Sequence, residues 1–204
     1  MKVLLSVDFI TNSIFNSRTY FLSQEECDVV WLVDCGDTDR ALKRIGEKKV
    51  QGVLLTHTHS DHIYGLELLI ERFPDVEVYT NAYGEKALKS PKLNLSHYHS
   101  EYPNIAIENH QNMRILKGGD TVKVLGLECS VYETPGHDPS CLTYLVGDNL
   151  FTGDAYIPGL KVFTGFPHSN RVQAQQSVER IMAFPKNCRI MPGHTLVAGR
   201  KNIY

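Results

Sequence analysis

Three of the chain's 9 histidines, His57, His59 and His62, stand beside Asp61 in the segment THTHSDH. Imidazole and carboxylate are the side chains that hold borderline divalent metals, so this grouping points to metal chemistry. His57 and His59 sit at i and i+2, a spacing at which two rings share one ion only if the backbone turns between them. Three further segments repeat the arrangement: TPGHDPS follows the apolar SVYE, TGDA follows NLF, and PGHT follows RIM. Each places a ligand type, His137, Asp154 or His194, just past an expected strand at a turn marked by glycine. Strand ends present reactive side chains on a rigid scaffold, and glycine lets the backbone come close to an ion. A lone HxH is weak as a motif, whereas HxHxDH followed by GH, GD and GH at strand ends is specific. The candidate ligands are therefore His57, His59, Asp61, His62, His137, Asp154 and His194.

The chemistry open to such a set follows from the ion. A divalent cation on neutral imidazoles keeps its net positive charge and lowers the pKa of a bound water from about 15.7 toward roughly 7, which supplies hydroxide at neutral pH. Two ions about 3.5 to 4 Å apart can share that hydroxide while one polarises a carbonyl and stabilises the oxyanion. No serine or cysteine nucleophile is required.

Positioning these residues requires a scaffold of strands and helices. KVLLSV, RTYFLS and DVVWLVD read as an opening meander of strands. A helix over DRALKRIG, capped by Asp37 or Thr38, puts Ala41, Leu42 and Ile45 on one face and leads into a buried strand, VQGVLLT. A second unit follows, with YGLELLIERF helical through Leu66, Leu69, Ile70 and Phe73, Pro74 as its stop, and VEVYT as a strand. Ala82 to Leu88 reads as a helix, and Ser90 to His110 as an irregular excursion. Strands return in TVKVLG, LECSVYET, LTYLVG and NLFTG. A helix from Arg171 to Phe184 is expected to turn Val172, Val178, Ile181 and Met182 to a core, and CRIMPGH closes with a short strand. The pattern predicts an α/β (α+β) protein of two sheets with helices outside.

Composition narrows the function classes. A chain of 204 residues with 42% hydrophobic content fits one domain with a sizeable core. A net charge of -2, from 21 basic and 23 acidic residues without long runs, gives no footprint for nucleic acid or an anionic membrane surface. The five cysteines, Cys27, Cys35, Cys129, Cys141 and Cys188, are scattered and form no CxxC pair, which fits a reducing compartment, the cytoplasm. In MKVLLSVDFITNS, Asp8 interrupts the apolar run and no small-residue cleavage site follows, so no signal peptide is expected. No segment reaches the roughly 20 apolar residues of a membrane helix. The expected partner is a small-molecule substrate.

With Asp34 in DCGD added ahead of the histidine segment, the motifs resemble in order and spacing the five motifs of metallo-β-lactamase-fold hydrolases. Within that superfamily they look like the glyoxalase II (hydroxyacylglutathione hydrolase) type. The resemblance runs from about residue 18 to the end. It implies a four-layer αββα sandwich in which His57, His59 and His137 hold one metal, Asp61, His62 and His194 a second, and Asp154 bridges them. It also implies that Asp61 and Asp154 are the catalytic carboxylates, that Asp34 orients the metal-binding loop, and that the cofactors are two divalent ions, zinc first, with iron or manganese as alternatives. The helical region that helps glyoxalase II enzymes bind glutathione is expected to be lacking, since ten residues follow His194. The implied activity is hydrolysis of a small thioester, ester or lactone. A different class, the persulfide dioxygenases, resembles the same motifs but would use one iron on His57, His137 and Asp154. His97, His99 and His168 are expected in loops, where they are candidates for substrate contact rather than metal ligation.

Overall fold

In β3 (Val29–Val33), VVWLV, alternate side chains enter two different cores. Val30 and Leu32 pack with Ala41, Ile45, Leu66 and Leu69 of the helices, whereas Trp31 and Val33 pack with Val131, Tyr144 and Phe151 of a second sheet. A strand apolar on both faces belongs in the middle of a layered structure. The computed structural model, which describes residues 4–100, 103–108 and 110–195, places it there.

The first sheet runs in chain order through β1 (Ser6–Thr11), β2 (Arg18–Ser23), β3, β4 (Lys49–Leu54), β5 (Glu77–Thr80) and β6 (Met113–Ile115). Its first three strands are antiparallel neighbours, and β3 to β6 are parallel. The parallel part needs crossovers, which are supplied by α1 (Thr38–Ile45), by the single turn α2 (Ser60–Ile63) with α3 (Leu66–Arg72), and by α4 (Ala82–Leu88). The second sheet has the order β11-β10-β9-β8-β7, from β7 (Thr121–Val124), β8 (Leu127–Glu133), β9 (Leu142–Val146), β10 (Asn149–Gly153) and β11 (Arg189–Pro192). Its outer face carries Leu150 and Cys141, which pack with Ile181 of α5 (Arg171–Met182). Helices, sheet, sheet and helix make the expected αββα order.

The sheets meet through Trp31, and one glycine makes room for it. A Cβ on Gly52 would lie 2.5 Å from the Trp31 ring, and the β3–β4 register shifts between Val30 and Trp31 at the same place. The indole N–H donates to Gln51 Oε1 at 3.1 Å.

Several sequence expectations shift. β1 overlaps only the end of KVLLSV, starting at Ser6 and running on to Thr11, because its bounds follow the six-pair register with β2, from Ser6 opposite Ser23 to Thr11 opposite Arg18, and not the apolar run. In α5, Val172 and Met182 are exposed, and Ala174, Ser177 and Ile181 face inward. Small residues are needed there because the helix lies against the Pro135–Gly136 turn, with Ser177 Oγ donating to the Pro135 carbonyl at 2.7 Å. Asp37 is the N-cap of α1 by position, but its carboxylate accepts from Ser13 N and Oγ, Tyr64 Oη and the Arg40 guanidinium instead of the helix's backbone N–H groups. β6 and α2 were not anticipated. The described part of the 90–110 excursion is irregular, as expected, and is pinned by Asn94 Nδ2 donating to the carbonyls of Ala87 and Ile105.

Candidate metal centre

Antiparallel pairing of β8 with β9 and of β9 with β10 makes β8 and β10 run the same way, and β11 is parallel to β10. The C-terminal ends of all three therefore lie along one edge of the second sheet. His137, Asp154 and His194 follow those ends. Asp34 and the His57–His62 segment follow the C-terminal ends of the parallel β3 and β4 in the other sheet. Topology thus brings residues 160 positions apart in the chain to one site, and all seven candidate ligands are buried.

Their polar atoms converge. His59 Nδ1 lies 3.0 Å from His137 Nε2, and His62 Nε2 lies 3.2 Å from His194 Nε2. Asp154 stands between these pairs: its Oδ2 is 3.7 Å from His137 Nε2 and 3.1 Å from His194 Nε2, and its Oδ1 is 3.6 Å from His62 Nε2. Asp61 Oδ2 is 3.4 Å from His194 Nε2 and 3.5 Å from His62 Nε2. Three groups have ligand atoms within 4.8 Å of one another: His57, His59 and His137; His57, His62 and Asp154; and Asp61, His62 and His194.

Whether a cation fits is decided by the far side of each ring. The Nδ1–H groups of His137 and His194 donate to the carbonyls of Phe163 at 2.8 Å and Phe15 at 2.9 Å. His62 Nδ1 donates to Asp34 Oδ2 at 2.8 Å. Thr56 Oγ1 gives its proton to Asp34 Oδ2 at 2.7 Å and so accepts from His57 Nδ1 at 3.2 Å. His59 is turned the other way, with Nε2 3.4 Å from Asp138 Oδ2. Outward protons leave five lone pairs facing inward, which is how ligating histidines are held. His57 Nε2 and Asp61 Oδ2 are buried with no hydrogen-bond partner among the described residues, a costly state for polar atoms unless a cation takes them. The site fits a metal.

At His57 and His137 the electrostatics agree with that reading. Burial, with the neighbouring histidines, holds His57 well below the ordinary imidazole range, and burial brings His137 down to about 4, so both present neutral nitrogen at pH 7. Burial opposes charge on His62 too, but Asp61, Asp34 and Asp154 outweigh it and lift its pKa to about 10. Burial would raise Asp138, yet His59 and Ser140 together bring it below the usual carboxylate range.

The tight join at His194 needs Gly193, since a Cβ there would lie 2.1 Å from Asp154 Oδ1. Around it, Ser17 Oγ donates to the Asp61 carbonyl at 2.7 Å, Tyr20 Oη to the Pro192 carbonyl at 2.7 Å and Arg18 Nε to Thr195 Oγ1 at 2.9 Å. Arg18 and Tyr20 therefore tie β2 to the loop that carries His194.

Of the expected substrate-loop histidines, His99 is tied to the site through a ring contact at 5.2 Å with Phe15. His97 is exposed and contacts Tyr98, and the exposed His168 lies 6.1 Å from the Tyr83 ring. Residues not anticipated are Asp138, Thr56 and Ser140, together with the carbonyls of Phe15 and Phe163. The only sequence signal for them was adjacency: Thr56 precedes His57, and Asp138 follows His137. A backbone carbonyl carries no such signal.

The Metallo-beta-lactamase superfamily model matches residues 15–194. Among curated proteins, a "Probable metallo-hydrolase" of Streptococcus pyogenes serotype M6 is 28% identical over 98% of this chain and 89% of its own length. The hydroxyacylglutathione hydrolase of Prochlorococcus marinus is 29% identical over 89% of this chain. The chain spans 66% of that relative and 56% of the Citrobacter koseri hydroxyacylglutathione hydrolase. Among solved structures, BLEG-1 B3 metallo-beta-lactamase superposes with a TM-score of 0.85 at 21% identity, covering 94% of this chain and 92% of that one. ETHE1 from Myxococcus xanthus gives a TM-score of 0.74 at 27% identity, covering 96% and 78%. The family match takes in every ligand candidate from His57 to His194, and the chain belongs to the metallo-beta-lactamase superfamily as a metal-dependent hydrolase.

Proposed function

We propose that this single-domain protein is a binuclear hydrolase of a small thioester, ester or lactone. His57, His59 and His137 would hold one ion, Asp61, His62 and His194 the other, and Asp154 would join them. The observation that carries the reading is the Asp154 carboxylate, within 3.7 Å of a ligand nitrogen from each set. When bound, divalent ions supply Lewis acidity, which makes a water nucleophilic near neutral pH and polarises a carbonyl. The chain's own part is to fix the geometry and keep water out. Asp34, Thr56, Asp138 and two carbonyls hold the five imidazoles in one tautomer each, and the burial of Asp61 and Asp154 keeps both carboxylates strong ligands. Hydrolysis of a thioester would then give a carboxylic acid and a thiol. Zinc is the metal we favour, since imidazole and carboxylate both suit it, and iron and manganese share that ligand preference in part. The cytoplasm fits the five cysteines, all of which are unpaired. Among the described residues no helix is long and apolar enough to cross a membrane.

Elemental analysis of protein purified without chelators tests this directly. Two equivalents per chain, with turnover on a panel of thioesters and lactones, are expected, and Asp154→Asn should lower both metal content and rate. A single iron, with oxygen uptake on a persulfide, would replace hydrolysis by the oxygenase alternative, and the 27% identity to ETHE1 is the reason to run that arm.

A further inference from the structure

The two residues whose carbonyls hold the outermost histidines of the centre are both phenylalanines. Phe163 accepts from His137, and Phe15 from His194. A main-chain anchor at a ligand holds the backbone of each residue beside the centre. At the His137 end, Phe163 is 44% exposed despite being large and apolar, and its ring lies 4.9 Å from that of Phe166. Phe166 in turn packs against His59 at 4.8 Å and His137 at 5.6 Å. The Phe163 ring folds back over Gly165, where a Cβ would lie 2.6 Å from it, so the exposed ring is seated on its loop. At the His194 end, Phe15 lies edge-on to His99 at 5.2 Å, and its φ of 50° places it in the left-handed region that a bulky residue seldom adopts. Lys161 and Arg171, the cations of the same stretch of chain as Phe163, line a separate cavity against α5 with Tyr156, Val172 and Val178.

We infer that these are two aromatic walls of the substrate site, and that the substrate is a thioester, ester or lactone whose acyl side carries an aromatic or extended apolar group. The inference rests on the hydrolase reading for the position of the scissile carbonyl, between the His137 and His194 ends. A carbonyl held there has a wall on each side, and an exposed apolar ring beside a convergent polar centre is how pockets bind ligands that are apolar at one end and polar at the other. A short acetyl group would leave Phe163 in water, whereas a phenyl group covers it.

The test separates binding from turnover. Phenylacetate and acetate are titrated into the zinc-loaded protein and followed by calorimetry, so that the carboxylate is common and only the ring differs. Phenylacetate is expected to bind about 10- to 50-fold more tightly, the worth of burying one ring against apolar walls. The ratio should fall at least threefold in Phe163→Ser and in Phe15→Ser, with metal content unchanged. The same preference is expected in kcat/KM for S-phenylacetyl over S-acetyl thioesters of one thiol. A wild-type binding ratio below 2, or a ratio unmoved by both substitutions, overturns the walls. Aromatic binding with no turnover of any thioester, ester or lactone would sink the hydrolase reading and leave the walls standing. Turnover without aromatic preference would do the reverse.

Discussion

Asp138 is the residue whose importance was least visible beforehand. It follows His137 in GHDPS, yet it serves a different histidine: its Oδ2 faces His59 Nε2, and its Oδ1 accepts from Ser140 N at 2.8 Å and from Ser140 Oγ. Ser140 Oγ also accepts from Thr58 N at 3.0 Å, so one short network sets the turn between His57 and His59 that their i, i+2 spacing demanded. Removing an acceptor that orients a ligating histidine typically costs 10- to 100-fold in metal affinity. Asp138→Ala is therefore expected to lose metal from the His57, His59 and His137 set within that range in a competition titration against a chelator. His97→Ala, outside the cluster, should keep wild-type affinity.

At the scale of elements, the packing of the two sheets rests on one small residue in β4. Adding a methyl at Gly52 forces the Trp31 ring out of the core between the sheets, and overpacking of this kind costs about 1 to 3 kcal/mol. Gly52→Ala should lower the denaturation midpoint accordingly in a urea titration, with little change in slope. Trp31 is the chain's 1 tryptophan, so its fluorescence reports the site of the strain. The strand ends explain why this edge is the functional one. β3, β4, β8, β10 and β11 all finish there, and each is followed within four residues by Asp34, His57, His137, Asp154 or His194.

Across the whole molecule, the metal centre is also a clamp. His57, His59, Asp61 and His62 come from the first sheet, and His137, Asp154 and His194 from the second, so an ion bound between them holds the two halves of the sandwich together. A ligand that binds only the native state stabilises it by about 2.7 kcal/mol at 100 times its Kd. Stripping the metal should therefore lower Tm, and adding back zinc should restore it in a concentration-dependent way, measured by differential scanning calorimetry. An unchanged Tm would show that the two sheets do not need the ions to stay docked.

The cluster of candidate ligands was legible in the sequence because metal binding needs particular atoms, and His57, His59, Asp61, His62, His137, Asp154 and His194, which the fold brings together, stand out by type and by their place after apolar strands. The layer order was legible for a similar reason: two-sided strands such as VVWLV and one-sided helices such as DRALKRIG leave few ways to bury their surfaces. The inward face of α5 was not, because Ala174 and Ser177 are chosen by the closeness of the Pro135–Gly136 turn and not by hydrophobicity. The start of β1 was set by its register with β2. Only the tertiary structure decided which ring nitrogen faces inward, since that depends on the acceptor behind each histidine, and two of those acceptors are carbonyls of Phe15 and Phe163. Every residue carries a carbonyl, and only folding aims one at a particular histidine.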